Sequence, residues 1–103
     1  MRTKSRSSIV TDRPNRREMA NPFHPGEILL EEFLVPAGLT QVAFAKKVRW
    51  TTAKLNELIR GRRGITAESA IALSKALGTS PKFWMNLQAT YDLHRVLSRS
   101  RVA

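Results

Sequence analysis

Two histidines, His24 and His94, and eight acidic residues are the groups from which an acid–base site would have to be built. Their placement does not favour one. The histidines lie towards opposite ends of the chain. The adjacent pair Glu31 and Glu32 would point about 100° apart on a helix, unlike a cooperating carboxylate couple. Cysteine is absent, which removes thiolate nucleophiles, disulfides and thiolate metal sites, and permits a reducing compartment. No metal-ligand spacing and no Gly-rich phosphate loop occurs. No enzyme activity, cofactor or metal is expected, and His24, alone beside Pro25, reads as a structural group.

The cationic side chains offer more. The net charge is +10. Residues 46–63 hold seven basic residues (Lys46, Lys47, Arg49, Lys54, Arg60, Arg62, Arg63) against Glu57, a net +6. Residues 19–103 as a whole also carry +6, so this stretch equals the net excess of everything after Met19. Such concentration points to a polyanion.

The same stretch has the pattern of two short helices joined by a tight turn. Thr40 is an N-cap for a helix over Gln41–Val48, with Phe44, Ala45 and Val48 on one face. Thr51 caps a second helix to about Arg60, where Leu55, Leu58 and Ile59 face inward, and Gly61 ends it. Ala45 is small where the two backbones approach. This is a helix-turn-helix, whose second helix lies in the DNA major groove. Its first turns would bring Thr52, Ala53, Asn56 and Glu57 to base edges. Pairing with Arg60 or Lys54 is the better reading of Glu57. Gln41, at the N-terminal end of the first of the two helices, suits a phosphate contact, and Lys54, Arg60, Arg62 and Arg63 are phosphate clamps.

Other elements must hold this unit. Residues 1–20 are Arg/Ser-rich with few apolar side chains, and are expected to be disordered, either a basic arm or sequence upstream of a start at Met19. The run Asn21 to Gly26 is extended because Pro22 and Pro25 disfavour helix before them. A helix follows over residues 25–35, with Ile28, Leu29, Phe33 and Leu34 inward, and Pro36 is expected to stop it. Thr66 caps a helix over Ala67–Leu77 whose inner face would be Ala70, Ile71, Leu73 and Leu77. Ser80 and Pro81 open a fifth helix to about Leu97, with a frayed tail over 98–103. The reading is an all-α, five-helix, lambda-repressor-like domain over 21–97 with an extended C-terminal helix. Phe83 and Trp84 cannot both face one way, so one side of that helix should pack on the bundle. The other, with Trp84, Leu87, Gln88 and Tyr91, is expected to form a two-fold contact. No apolar run is long enough for a membrane span.

The order QVAFAKKV, RW, TTAKLNELIRG, then RRGITAESAIALSKALGTSPKFWMNLQATYDL, closely resembles the HigA (VapI-type) antitoxins of the phage-repressor-like (XRE) helix-turn-helix class. The resemblance runs from Asn21, through HPGEILLEEF, to Leu93. It implies a cytoplasmic homodimer that binds double-stranded operator DNA, represses its own operon, and neutralises a small RelE-like mRNA-cleaving toxin of HigB type. By position, Gln41, Thr51, Thr52, Ala53, Lys54 and Asn56 match DNA-facing sites. A stand-alone repressor without a toxin shares the same DNA chemistry. A module whose basic face binds RNA or an acidic protein is the reading from another class. One departure stands out: Arg49 occupies the turn where the family usually has glycine. Either the turn opens or Arg49 bears a left-handed conformation, with Trp50 filling space between the helices.

Overall fold

The computed structural model describes residues 22–102, with side chains up to Arg99. The expected disorder of residues 1–20 lies outside that range. Five helices follow one another: α1 (Pro25–Ala37), α2 (Gln41–Val48), α3 (Thr52–Ile59), α4 (Ala67–Leu77) and α5 (Pro81–Val102). Among the described residues there is no strand, and no single helix is long and apolar enough to cross a membrane.

Helix α1 begins where a side chain supplies the missing acceptor. His24 is the N-cap, and its Nδ1 accepts from the Gly26 N–H at 2.9 Å. Pro25 follows at the first helical position, where a missing N–H costs nothing. From Leu29 to Leu34 the helix widens to a π turn, with the Val35 N–H bonded to the Leu30 carbonyl. Pro36 does not stop the helix, which runs one residue further to Ala37. The wide turn just before Pro36 accommodates a ring that an ordinary turn would press against a carbonyl. It also re-aims side chains. Residues five apart on an α-helix point about 140° apart, yet Leu29 and Leu34 are both fully buried. Ile28 and Phe33, expected inward with them, are only half-buried. Gly38 then takes a left-handed conformation (φ 68°) and ends the helix.

The core is Leu29, Leu34, Phe44, Ala45, Leu55, Leu58, Ile65, Ala70, Leu73 and Trp84. Full burial of each leucine contributes about 1.5–3 kcal/mol, so Leu55 and Leu58 fix which face of α3 looks inward. Gly26 sets how close α1 comes to α3. A Cβ placed there would lie 1.8 Å from the Leu58 carbonyl oxygen, so the two backbones touch.

Helix α4 opens with a reciprocal cap: Ser69 N–H donates to Thr66 Oγ1, and Thr66 N–H donates to Ser69 Oγ. Its inner face is Ala70, Leu73 and Ser74, spaced i, i+3, i+4. Ile71 lies one step round from that face and is 46% exposed, not inward as expected. Helix α5 continues past Leu97 to Val102 instead of fraying at Ser98. No Gly or Pro interrupts 98–102, and arginines near a C-terminus suit the helix dipole.

Phe83 and Trp84 divide as expected, but the division overturns one assignment. Trp84 is fully buried, whereas Phe83 is 37% exposed. The indole N–H donates to Thr79 Oγ1 at 2.7 Å, and the Phe33 and Phe83 rings stand 5.4 and 5.0 Å away. Trp84 therefore belongs to the core and offers nothing to a second subunit.

Candidate nucleic-acid interface

The turn between α2 and α3 stays closed. Arg49 adopts φ 62°, ψ 38°, and is the one non-glycine with positive φ among the described residues. Its N–H bonds to the Lys46 carbonyl at 3.1 Å, and the Trp50 N–H bonds to the Ala45 carbonyl at 2.9 Å. These two bonds form a Schellman motif with arginine where glycine is usual. The left-handed conformation costs a residue with a Cβ about 1 kcal/mol. Of the two outcomes open from sequence, strain at Arg49 is the one realised. Trp50 is half-buried against the core, and Lys54 Nζ stands 4.6 Å from the centre of one of its faces. That cation–π contact holds the lysine charge beside the turn.

Helix α3 begins at Thr51, whose Oγ1 accepts from the Lys54 N–H at 3.0 Å. Thr51, Thr52 and Ala53 are exposed, while Leu55 and Leu58 are buried. The inner face is thus fully used, and the first turn is free to meet a ligand. Asn56 Nδ2 donates to Gln41 Oε1 at 3.2 Å, joining one DNA-facing candidate on each helix of the motif. Gln41, Thr51, Thr52, Ala53, Lys54 and Asn56 are therefore gathered around the start of α3 and the start of α2.

The arginines lie at the other end of α3, which is about 12 Å long. Arg60 is its C-cap, and Gly61 turns the chain with φ 77°. The Arg62 N–H returns to the Glu57 carbonyl at 2.8 Å. The Glu57 carboxylate takes Arg63, not Arg60 or Lys54: Arg63 Nη2 and Nε donate to Glu57 Oε1 at 2.7 and 3.1 Å. A pair six residues apart falls outside helical i, i+4 spacing. It forms only because the chain doubles back at Gly61. Both side chains are about half exposed, so the pair is held loosely. Arg60 and Arg62 are exposed.

The basic loop is followed by a contact that sequence reasoning missed. Gln88 Oε1 accepts from the Ile65 N–H at 2.7 Å, and Gln88 Nε2 donates to Asp92 Oδ1 at 2.9 Å. Both ends of this amide are used within the chain, which corrects its assignment to a two-fold contact. No periodicity could have revealed it, because its partner is a backbone amide 23 residues away. Leu87 is half-buried against the core. Tyr91 is half-buried with its ring at 4.8 Å from His24, edge to face. Burial of His24 lowers its pKa below 6.5; the Asp92 charge opposes this and Arg95 adds to it. The neutral ring is the form that caps α1.

The comparisons with known proteins agree with this geometry. The helix-turn-helix family HTH_3 matches residues 30–84, more than half of the chain. Virulence-associated protein I of Dichelobacter nodosus is 46% identical over 71 residues, covering 69% of this chain and 66% of that protein. Antitoxin HigA-1 of Vibrio cholerae is 40% identical over 78 residues, covering 76% of this chain and 73% of that protein. Among solved structures, the Pseudomonas aeruginosa antitoxin HigA with the higBA promoter superposes with a TM-score of 0.74 at 39% identity. That match covers 77% of this chain and 86% of the other. With the matched motif, the five-helix order and this level of identity together, the chain belongs to the HigA-type helix-turn-helix family.

Proposed function

We propose that the chain is an operator-binding antitoxin that represses its own operon and neutralises a RelE-like toxin. The observation that carries the DNA part is a solved relative, similar over most of both chains, bound to promoter DNA. The surface supports it. The exposed first turn of α3 is flanked by Gln41 and Lys54 at one end and by Arg60, Arg62 and Arg63 at the other.

In this reading α3 enters the major groove. Thr52 and Asn56 exchange hydrogen bonds with base edges, and Ala53 touches a thymine methyl. Gln41 and the free amides at the start of α2 meet a phosphate, while Lys54 and the arginines neutralise neighbouring ones. Thr51 stays a cap. A second copy docks along α5 on the exposed Leu93, Val96 and Leu97, while Leu87 and Tyr91, half-buried on the side of α5 that packs within the chain, offer it at most their edges. The two recognition helices then fall about 34 Å apart, one DNA turn. The setting is the bacterial cytoplasm, and the toxin half rests on family membership.

The test is a gel shift with DNA from upstream of its own gene, at low salt where phosphate contacts are strongest. No shift would remove the DNA reading and leave an RNA- or protein-binding module. Co-expression with the neighbouring reading frame tests the toxin half. A stable co-purifying pair supports the antitoxin, and its absence leaves a stand-alone repressor.

A further inference from the structure

The basic loop is tied at both ends. On the α3 side, Glu57 holds it twice: its carbonyl takes the Arg62 N–H and its carboxylate takes Arg63. On the other side the tie comes from α5. Gln88 is half-buried, and its Oε1 accepts from the Ile65 N–H at 2.7 Å. The loop passes close to it, since a Cβ on Gly64 would stand 3.0 Å from Gln88 Oε1. Ile65 itself is only 6% exposed, so the end of the loop is anchored in the core.

The orientation of the Gln88 amide is fixed chemically. Ionised Asp92 can only accept, so the amide nitrogen must face it. The oxygen is then left for the Ile65 N–H. We infer that Gln88 is a positioning residue for DNA binding: oriented by Asp92, it sets where the loop presents Arg62 and Arg63. The inference rests on the DNA reading above and assigns α5 a role in it that no contact between α5 and DNA is needed to explain. Gln88 acts through the loop and touches no nucleotide.

The test uses the full chain. Gln88→Leu removes both hydrogen bonds at similar volume. In the free protein, amide exchange at Ile65 should quicken about tenfold, as the local opening becomes easier. On a duplex of arbitrary sequence, affinity should fall about tenfold and the slope of log K against log salt should flatten by about one phosphate contact. The ranking of preferred sequences should be unchanged, because Thr52 and Asn56 have not moved. A general loss of stability would not flatten the salt slope. Gln88→Glu combined with Asp92→Asn exchanges donor and acceptor across their contact and keeps an acceptor for Ile65, so it should restore both readouts. Should Gln88→Leu fail to fold, Asp92→Ala frees the amide to rotate and should quicken Ile65 exchange in the same sense. Wild-type exchange and wild-type slope in these variants, or no recovery in the double variant, would overturn the inference. If the wild-type chain binds no duplex, the DNA reading fails on its own, and the exchange data still report the tie.

Discussion

Asn56 of α3 donates to Gln41 of α2 at 3.2 Å, so the two helices of the motif share one polar contact on their outer side. The amides are part-buried and separated by 15 residues. Each holds the other's rotamer, leaving one oxygen on Asn56 and one nitrogen on Gln41 for DNA. In the proposed mode of DNA binding, base reading by α3 and phosphate anchoring by α2 are thereby coupled.

That coupling is measurable. Gln41→Ala and Asn56→Ala should each weaken operator binding about tenfold. The double variant should lose less than the product of the two, with a coupling of about 1 kcal/mol. Operator titration at fixed salt supplies the cycle. Strict additivity would mean that the bond is absent in the bound state.

Arg49 gives a prediction of opposite sign. Its φ of 62° is native to glycine and strained for arginine. Arg49→Gly should stabilise the fold by about 1 kcal/mol, partly offset by the greater freedom of glycine in the unfolded chain. The same change removes one exposed cation beside the motif, so affinity for arbitrary DNA should fall modestly. Urea unfolding reads the first effect and salt-dependent binding the second. A lower urea midpoint would show that the turn is not strained.

The parts of this molecule that were legible beforehand are those carried by local rules. Thr40, Thr51 and Thr66 cap helices because their hydroxyls reach the next turn, and that signal lies within four residues. Leu55 and Leu58 were readable by spacing. What was not legible depends on where the chain returns. Trp84 was placed on the outside because a stripe of aromatics does not say which side meets the bundle; the Phe33 ring and the Thr79 hydroxyl decide it. Ile71 and Leu77 looked equivalent on an ideal helix, but Leu77, four residues after Leu73, packs against the core, whereas Ile71 is 46% exposed. Pro36 was read as a stop because the π turn that tolerates it involves a shifted bond from Val35 to Leu30. At the candidate interface the residue types were readable, but Gln41 with Asn56, Glu57 with Arg63, and Gln88 with Ile65 are products of tertiary folding.

Gly26 should be intolerant of any side chain. Its missing Cβ would overlap the Leu58 carbonyl oxygen, which is backbone and cannot rotate aside. Gly26→Ala must push α1 off α3, and should cost about 3 kcal/mol. For a domain of this size that lowers Tm by roughly 15 °C. Gly38→Ala is the control: nothing lies within 4 Å of its Cβ, so only the left-handed backbone opposes it. Its cost should be about 1 kcal/mol. Thermal melts of both variants test the contrast, and equal losses would show that the α1–α3 approach is not tight.

His24 makes stability depend on pH in a defined sense. It is buried, its Nδ1 is an acceptor for the Gly26 N–H, and its ring packs on Tyr91. Protonation would turn that acceptor into a donor facing another donor. Burial, with the Arg95 charge adding and the Asp92 charge opposing, holds its folded pKa below 6.5, so the unfolded chain takes up the proton first as pH falls. The stabilisation is full above 6.5 and is lost as pH drops from 6.5 through the lower folded value. Below that value both states are protonated and the loss is constant. His24→Asn keeps a capping oxygen without a titrating ring. It should start less stable at neutral pH, having lost the Tyr91 contact, but should show a flatter profile on acidification. Urea unfolding from pH 8 to pH 5 gives the comparison. If the variant retains the wild-type slope, the acid sensitivity belongs to another group, and the cap is not where the proton acts.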